Sequence, residues 1–103
     1  MRAHGVGILD DFMRRHAEAR EQVNAWLYEV ERAEWKGSRD IKERYPSASF
    51  LSDNRVIFNI KGKKYRIAVQ VSYKHQIVLI DRCGTHAEYS KWKFEESDGI
   101  EGD

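Results

Sequence analysis

Arg66, His86 and Tyr89 are the side chains whose types could together act on a phosphodiester. A guanidinium keeps its charge at any physiological pH and can hold two phosphate oxygens at once. An imidazole titrates near neutrality, so His86 can take or give a proton. Tyr89 can stack on a base or orient a phosphate, and can equally pack its own helix onto a sheet. RNA can be cut without a metal because its 2′-OH attacks the neighbouring phosphate. The catalyst then supplies a base for the 2′-OH, a cation for the charge that builds on phosphorus, and an acid for the leaving 5′-oxygen. The four histidines are scattered, and no carboxylate pair stands beside them at ligand spacing, so neither a metal nor a cofactor is expected. Plainer roles exist for the same residues: a surface ion pair for Arg66, and packing at a helix start for His86.

The elements that carry these residues can be read from periodicity. Ile8, Leu9, Phe12 and Met13 recur at helical spacing, and Ala19, Val23, Trp26, Leu27, Val30 and Ala33 form one apolar stripe. Gly37-Ser38 breaks that pattern, and Asp40–Arg44 has room for one more helical turn before Pro46. From about residue 55 the period changes to two. Val56, Phe58 and Ile60 share a face, Gly62 marks a turn, and Tyr65, Ile67, Val69, Val71 and Tyr73 alternate with Lys64, Arg66, Ala68, Gln70 and Ser72. After a second turn at Lys74-His75-Gln76, a third strand runs from Gln76 to Cys83 and Gly84 ends it. This predicts an antiparallel meander whose apolar face takes the helices and whose other face carries Lys64, Arg66 and Gln70 to solvent. Thr85-x-x-Glu88 is a capping box, which places His86 at the first helical position and Tyr89 three residues on.

Charge divides the chain. Between Arg55 and Phe94 nine basic residues face only Asp81 and Glu88, a net of +7, whereas the last nine residues net −5 and the first 54 net −1. Such a block fits a polyanion partner or a solvated surface. Lys61, Lys63 and Lys64 in the turn before Arg66 are candidate phosphate contacts, with Arg82 and Lys91 secondary. The 103 residues fit one domain, expected over 1–94 and followed by a disordered acidic tail at 95–103. No apolar run is long enough to span a bilayer, no secretory leader is evident, and Cys83 stands alone; a soluble cytoplasmic protein with no membrane contact is expected.

Several separated motifs occur in a specific order: Trp26-x-x-Glu29-Val30, Trp35, Asp40-Ile41-Lys42, Tyr45-Pro46-Ser47-Ala48, Arg55-Val56-x-Phe58-Asn59-Ile60-Lys61-Gly62, Tyr65-Arg66 and Gly84-Thr85-His86-x-Glu88-Tyr89. Over roughly residues 23 to 93 the chain resembles the HigB-type toxins of the RelE superfamily. The resemblance implies an α+β fold, with N-terminal helices packed on a three- to four-stranded antiparallel sheet and a short C-terminal helix. It implies an endoribonuclease that cuts mRNA, commonly ribosome-bound message. It also implies a cognate antitoxin, HigA-like and often carrying a helix-turn-helix. Two departures stand out. Arg2–Gly7 is a poor strand with two glycines where the family begins with a regular one, and Ser90 replaces a common Asp.

The basic sheet also suits a module that binds RNA or the ribosome without cutting, since phosphate attraction needs no catalyst. It suits an interaction protein that receives an acidic partner as well, and the tail at 95–103 could fill that role in cis. Convergence of Arg66 and His86 on one phosphate-sized space separates catalysis from these readings.

Overall fold

A computed structural model describes residues 1–94; the tail at 95–103, expected to be disordered, lies outside the described residues. The elements are β1 (Arg2–His4), α1 (Val6–Arg15), a 3-10 turn (Ala17–Ala19), α2 (Arg20–Arg32), α3 (Ser38–Arg44), β2 (Ser49–Leu51), β3 (Arg55–Ile60), β4 (Tyr65–Ser72), β5 (Ile77–Thr85) and α4 (His86–Tyr89). They form the α+β fold that the period switch near residue 55 predicts.

The meander of β3, β4 and β5 is the centre of a five-stranded sheet ordered β1-β5-β4-β3-β2. Two three-residue edge strands extend the antiparallel sheet expected from sequence, and β1 makes it mixed by running parallel to β5. Gly5 explains how so short a strand is left. It holds φ +88°, and a Cβ there would stand 2.6 Å from the Ile80 carbonyl oxygen, so only glycine turns the chain off the sheet edge into α1.

One face of the sheet is the core. Leu9, Phe12, Val23, Val30 and Ile41 from the helices are fully buried against Ile67, Val69, Val71 and Val78. Trp26 meets Phe58 edge-on with ring centroids 5.2 Å apart. Side chains of this size contribute about 1.5–3 kcal/mol each on burial.

The opposite face departs from expectation. Alternation placed Arg66 and Gln70 in solvent, but every residue of β4 is buried, with Arg66 at 8% exposure and Gln70 at 2%. Gln70 Nε2 donates to the Asp53 carbonyl at 3.0 Å in the β2–β3 turn, and Arg66 is covered by the chain after β5. That chain folds back across this face and sets Tyr89 over Arg66 and Phe94 over Arg55 and Arg82. Two-residue periodicity reports which side of a strand is apolar, not whether a later segment covers the polar side. Gly84 does not end the sheet: β5 continues to Thr85, with Gly84 paired to Arg66.

A bulge in β5 sets the phase of its far end. Val69 pairs with Ile80 and Ala68 with Arg82, so Asp81 is an extra residue opposite β4. Without it Arg82 would point into the helix-covered core. With it Arg82 lies on the second face, and Cys83 takes the core side.

Candidate active site

α4 begins with both halves of the expected capping box. Glu88 N donates to Thr85 Oγ1 at 3.2 Å, and Thr85 N donates to Glu88 Oε1 at 2.9 Å. The backbone N–H of His86 donates to the Lys64 carbonyl at 3.0 Å, tying the start of α4 to the β3–β4 turn. The Thr85 backbone N–H holds the Glu88 carboxyl below its ordinary range, outweighing the small effect of burial. α4 is only four residues long, so these local bonds fix it where propagation along a helix cannot.

Gly84 supplies the room. A Cβ there would lie 2.8 Å from the Trp92 ring and 3.2 Å from Glu88 Cβ. Trp92 therefore rests directly on the β5 backbone, and Tyr89 packs edge-on to Trp92 at 5.6 Å. Glycine at this position reads from sequence as a strand end; its packing role has no local signature.

Three expected residues come together. Arg66 Nη2 lies 3.2 Å from His86 Nδ1, and the Arg66 guanidinium stands 4.5 Å from the centre of the Tyr89 ring. A guanidinium can only donate, so Nδ1 is the acceptor in this contact. His86, Ala87 and Glu88 are exposed and Tyr89 is half-buried, while Arg66 is buried beneath α4. Arg66 Nε has no hydrogen-bond partner, and among the described residues no carboxylate pairs with this guanidinium. A buried cation that meets, among the described residues, a ring nitrogen and an aromatic face retains capacity for an anion.

The phosphate-contact candidates fall in three places. Lys61, Lys63 and Lys64 occupy the turn between β3 and β4 and are exposed. Lys61 Nζ reaches the Glu18 carbonyl at 3.4 Å, and Lys64 Nζ lies 5.5 Å from the Tyr65 ring centre. This turn adjoins His86 through the Lys64 carbonyl. Arg82 lies farther along the sheet, 3.4 Å from Asp81 and 4.7 Å from the Phe94 ring centre, off the Arg66–His86 pair. Lys91 is exposed just past α4.

Arg55 was read in sequence as part of the basic block and of a motif but not as a site residue, yet it is 3% exposed and bonded to Asp81 at 3.2 Å. Nothing in its spacing distinguishes it from a surface residue. Burial pushes the Cys83 thiol up to about 12, which leaves it protonated and a poor nucleophile. Among the described residues no three His, Cys, Asp or Glu side chains gather to hold a metal ion, and no helix is long and apolar enough to cross a membrane.

A family model described as HigB toxin, the RelE-like toxic component of a toxin–antitoxin system, matches residues 19–92. The chain belongs to the HigB toxin family. The matched span of the toxin begins just before α2, ends at Trp92, and contains Arg66, His86 and Tyr89. Membership in a toxin–antitoxin system gives the toxin an antitoxin as its cognate partner. No curated relative matches the chain.

Proposed function

We propose that this toxin is a metal-independent endoribonuclease that cuts mRNA, engages message on the ribosome, and acts in the cytoplasm. The observation that carries the reading is Arg66: a buried guanidinium with an unused N–H and, among the described residues, no carboxylate partner, set against His86 Nδ1. A purely structural arginine at this depth needs a carboxylate to offset its desolvation.

In the proposed reaction the scissile phosphate enters beside Arg66, and the guanidinium turns from His86 Nδ1 to the phosphate oxygens. That movement frees the Nδ1 lone pair to take the proton of the 2′-OH. O2′ bonds to phosphorus, the bond from phosphorus to O5′ breaks, and the leaving O5′ takes a proton from a turn lysine or from water. The products are a 2′,3′-cyclic phosphate and a 5′-OH. Arg66 acts most strongly as charge builds on the phosphorane. Tyr89 keeps the guanidinium in place through its ring face and offers a surface for a neighbouring base. Lys61, Lys63, Lys64 and Lys91 draw the message toward the site.

The antitoxin in this reading is HigA-like with a helix-turn-helix, and it silences the toxin by occupying the basic face. The test is incubation of end-labelled mRNA with the toxin, with and without purified ribosomes, in EDTA. Internal cleavage that EDTA leaves intact, stronger on ribosomes, is expected. Loss of cleavage on chelation and its return with a divalent ion would contradict the mechanism.

A further inference from the structure

The motif residues Trp26, Glu29, Tyr45 and Asn59 take no part in the site at Arg66, yet the fold brings them together. Gln22, Ala25, Trp26, Glu29, Arg32 and Ala33 recur at steps of three and four residues, so they lie along one side of α2. Two hollows open along that side. One, of about 310 Å³, lies between Tyr28, Arg32 and Trp35. The other, of about 200 Å³, lies between Gln22, Trp26, Asn59 and Lys61. Both share the bonded trio of Glu29, Arg44 and Tyr45, which makes them two parts of one groove.

The second hollow is walled by polar atoms without partners. Trp26 is 3% exposed, and its Nε1–H has no acceptor. Gln22 Oε1 and Asn59 Oδ1 are buried beside it and have no donor. Asn59 spends its other amide atom on the Ser47 carbonyl, at 2.8 Å, which holds the side chain in place. Buried polar atoms left unpaired cost stability, so this hollow asks for one acceptor and two donors. A primary carboxamide carries that set: its oxygen accepts and its nitrogen donates twice. The first hollow asks for an apolar group. Tyr28 on its rim is 61% exposed, with the Arg32 guanidinium 5.3 Å from the ring centre. Tyrosine and arginine are among the residues that most often carry the energy of a protein interface.

Three observations point to a protein partner for this groove. It lies on the helix-covered side of the sheet, where Trp26 meets Phe58, whereas Arg66 and His86 meet on the other face. Family membership gives the toxin a cognate antitoxin. Arg44 is matched by Glu29, but Arg32 at one end of the groove meets an aromatic ring and Lys61 at the other end a backbone carbonyl, so both ends stay positive. Lys61 also belongs to the lysine turn, so the groove runs into the basic block. We propose that an acidic amphipathic helix of the antitoxin lies along α2, with an apolar side chain against Tyr28 and an asparagine or glutamine in the hollow at Trp26. The two hollows stand about two turns of α2, roughly 10 Å, apart, which is the i to i+7 spacing of anchors on a docked helix. This contact anchors the antitoxin beside the basic face and does not depend on the ribonuclease reading.

The experiment measures the affinity of the full-length cognate antitoxin for the full toxin chain and for Tyr28→Ala and Gln22→Ala. Each free toxin is also melted and sedimented. Tyr28 is exposed and Gln22 Oε1 is unpaired, so both variants should melt as the wild type does. Tyr28→Ala should weaken the complex by about thirtyfold or more, the threshold of an interface hot spot. Gln22→Ala should weaken it by about fivefold, the share of one net hydrogen bond. The indole N–H resonance of Trp26, assigned by its loss in Trp26→Phe, should move downfield when the antitoxin binds. If either alanine variant binds the antitoxin as tightly as the wild type, or if the indole resonance stays in place, the groove is not the antitoxin's docking site. Variants that reduce self-association of the toxin and leave antitoxin affinity intact assign the groove to a second copy of the chain; variants that reduce RNA affinity in its place assign it to message. Both results overturn the proposal. A wild-type toxin that cuts no message contradicts the ribonuclease reading alone, and the antitoxin affinities still decide this one.

Discussion

Arg66 Nη2 and His86 Nδ1 stand 3.2 Å apart, joining the middle strand of the sheet to the first residue of the last helix. Because guanidinium has no lone pair to offer, Nδ1 is the acceptor in this contact. In the proposed mechanism the pair is a resting arrangement, in which the cation occupies the position of the proton that His86 would receive.

Arg66→Ala should therefore affect binding and chemistry together. Loss of a preorganised charge at the transition state costs about 10²–10³ in rate. RNA affinity should fall as well, because in the proposed reaction the same guanidinium meets the phosphate in the ground state. Arg66→Lys should recover binding better than rate, since ammonium keeps the charge but not the fork. Single-turnover rates beside separate binding measurements check this. An Arg66→Ala chain with unchanged cleavage would mean that the buried guanidinium is structural.

Gly84→Ala tests the position of α4 without touching a reacting group. The new Cβ would meet the Trp92 ring at 2.8 Å and Glu88 Cβ at 3.2 Å, so helix and ring must shift outward. Overpacking of this kind costs about 1–3 kcal/mol. Thermal melts should show that loss, tryptophan fluorescence should shift, and cleavage should drop because His86 moves with α4. An unchanged melt and full activity would show that the segment yields at no cost.

Acid should loosen the same helix. The Thr85 backbone N–H holds the Glu88 carboxyl below its usual 4.5. A depressed carboxyl adds stability that is present above the unfolded value and is lost as pH falls through the folded one. Glu18, held low by the Tyr65 hydroxyl, and Glu29, held low by the Tyr45 hydroxyl, act in the same direction. Urea midpoints should therefore fall between neutral pH and pH below about 4.5, and Glu88→Gln should show a smaller fall than wild type. Equal falls in both chains would remove Glu88 from the account.

Much of this arrangement was legible in the sequence, for identifiable reasons. Apolar stripes gave α1 and α2, and strict alternation gave β4, because burial on one side imposes a period. The Thr85–Glu88 box located α4 to the residue because capping is local chemistry. β1 and β2 were not legible, since three residues are too few to show a period. The covered second face was not legible either. Whether Arg66 meets solvent depends on Tyr89 folding back across the sheet, a long-range event with no signature near Arg66. Arg55 went unread as a site residue for the same reason: its burial is set by Asp81 and Phe94, which approach it only in the folded chain.

The antitoxin should bind through the basic block. An acidic segment of the partner is expected over the surface of Lys61, Lys63, Lys64, Arg66 and Arg82, with association slowed by salt. Reversing charge at Lys61, Lys63 and Lys64 together should lower the association rate by more than tenfold at low ionic strength. Hydrogen exchange in the complex should protect the β3–β4 turn. A complex that leaves this face open and undistorted, yet blocks cleavage, would place the inhibitory contact elsewhere.

The central claim is that His86 moves a proton in RNA cleavage. Its most direct test is single-turnover cleavage of pre-bound message by wild type and His86→Ala in EDTA, with product ends identified and RNA affinity measured separately. His86→Ala should bind RNA as the wild type does and keep its fold, because Thr85 and Glu88 still cap α4. Its chemical step should be slower by about 10²–10⁴-fold, the usual worth of a general acid or base. The wild type should leave a 2′,3′-cyclic phosphate and a 5′-OH. Cleavage by His86→Ala at the wild-type rate, or a wild-type chain that binds RNA and never cuts it, would contradict the account.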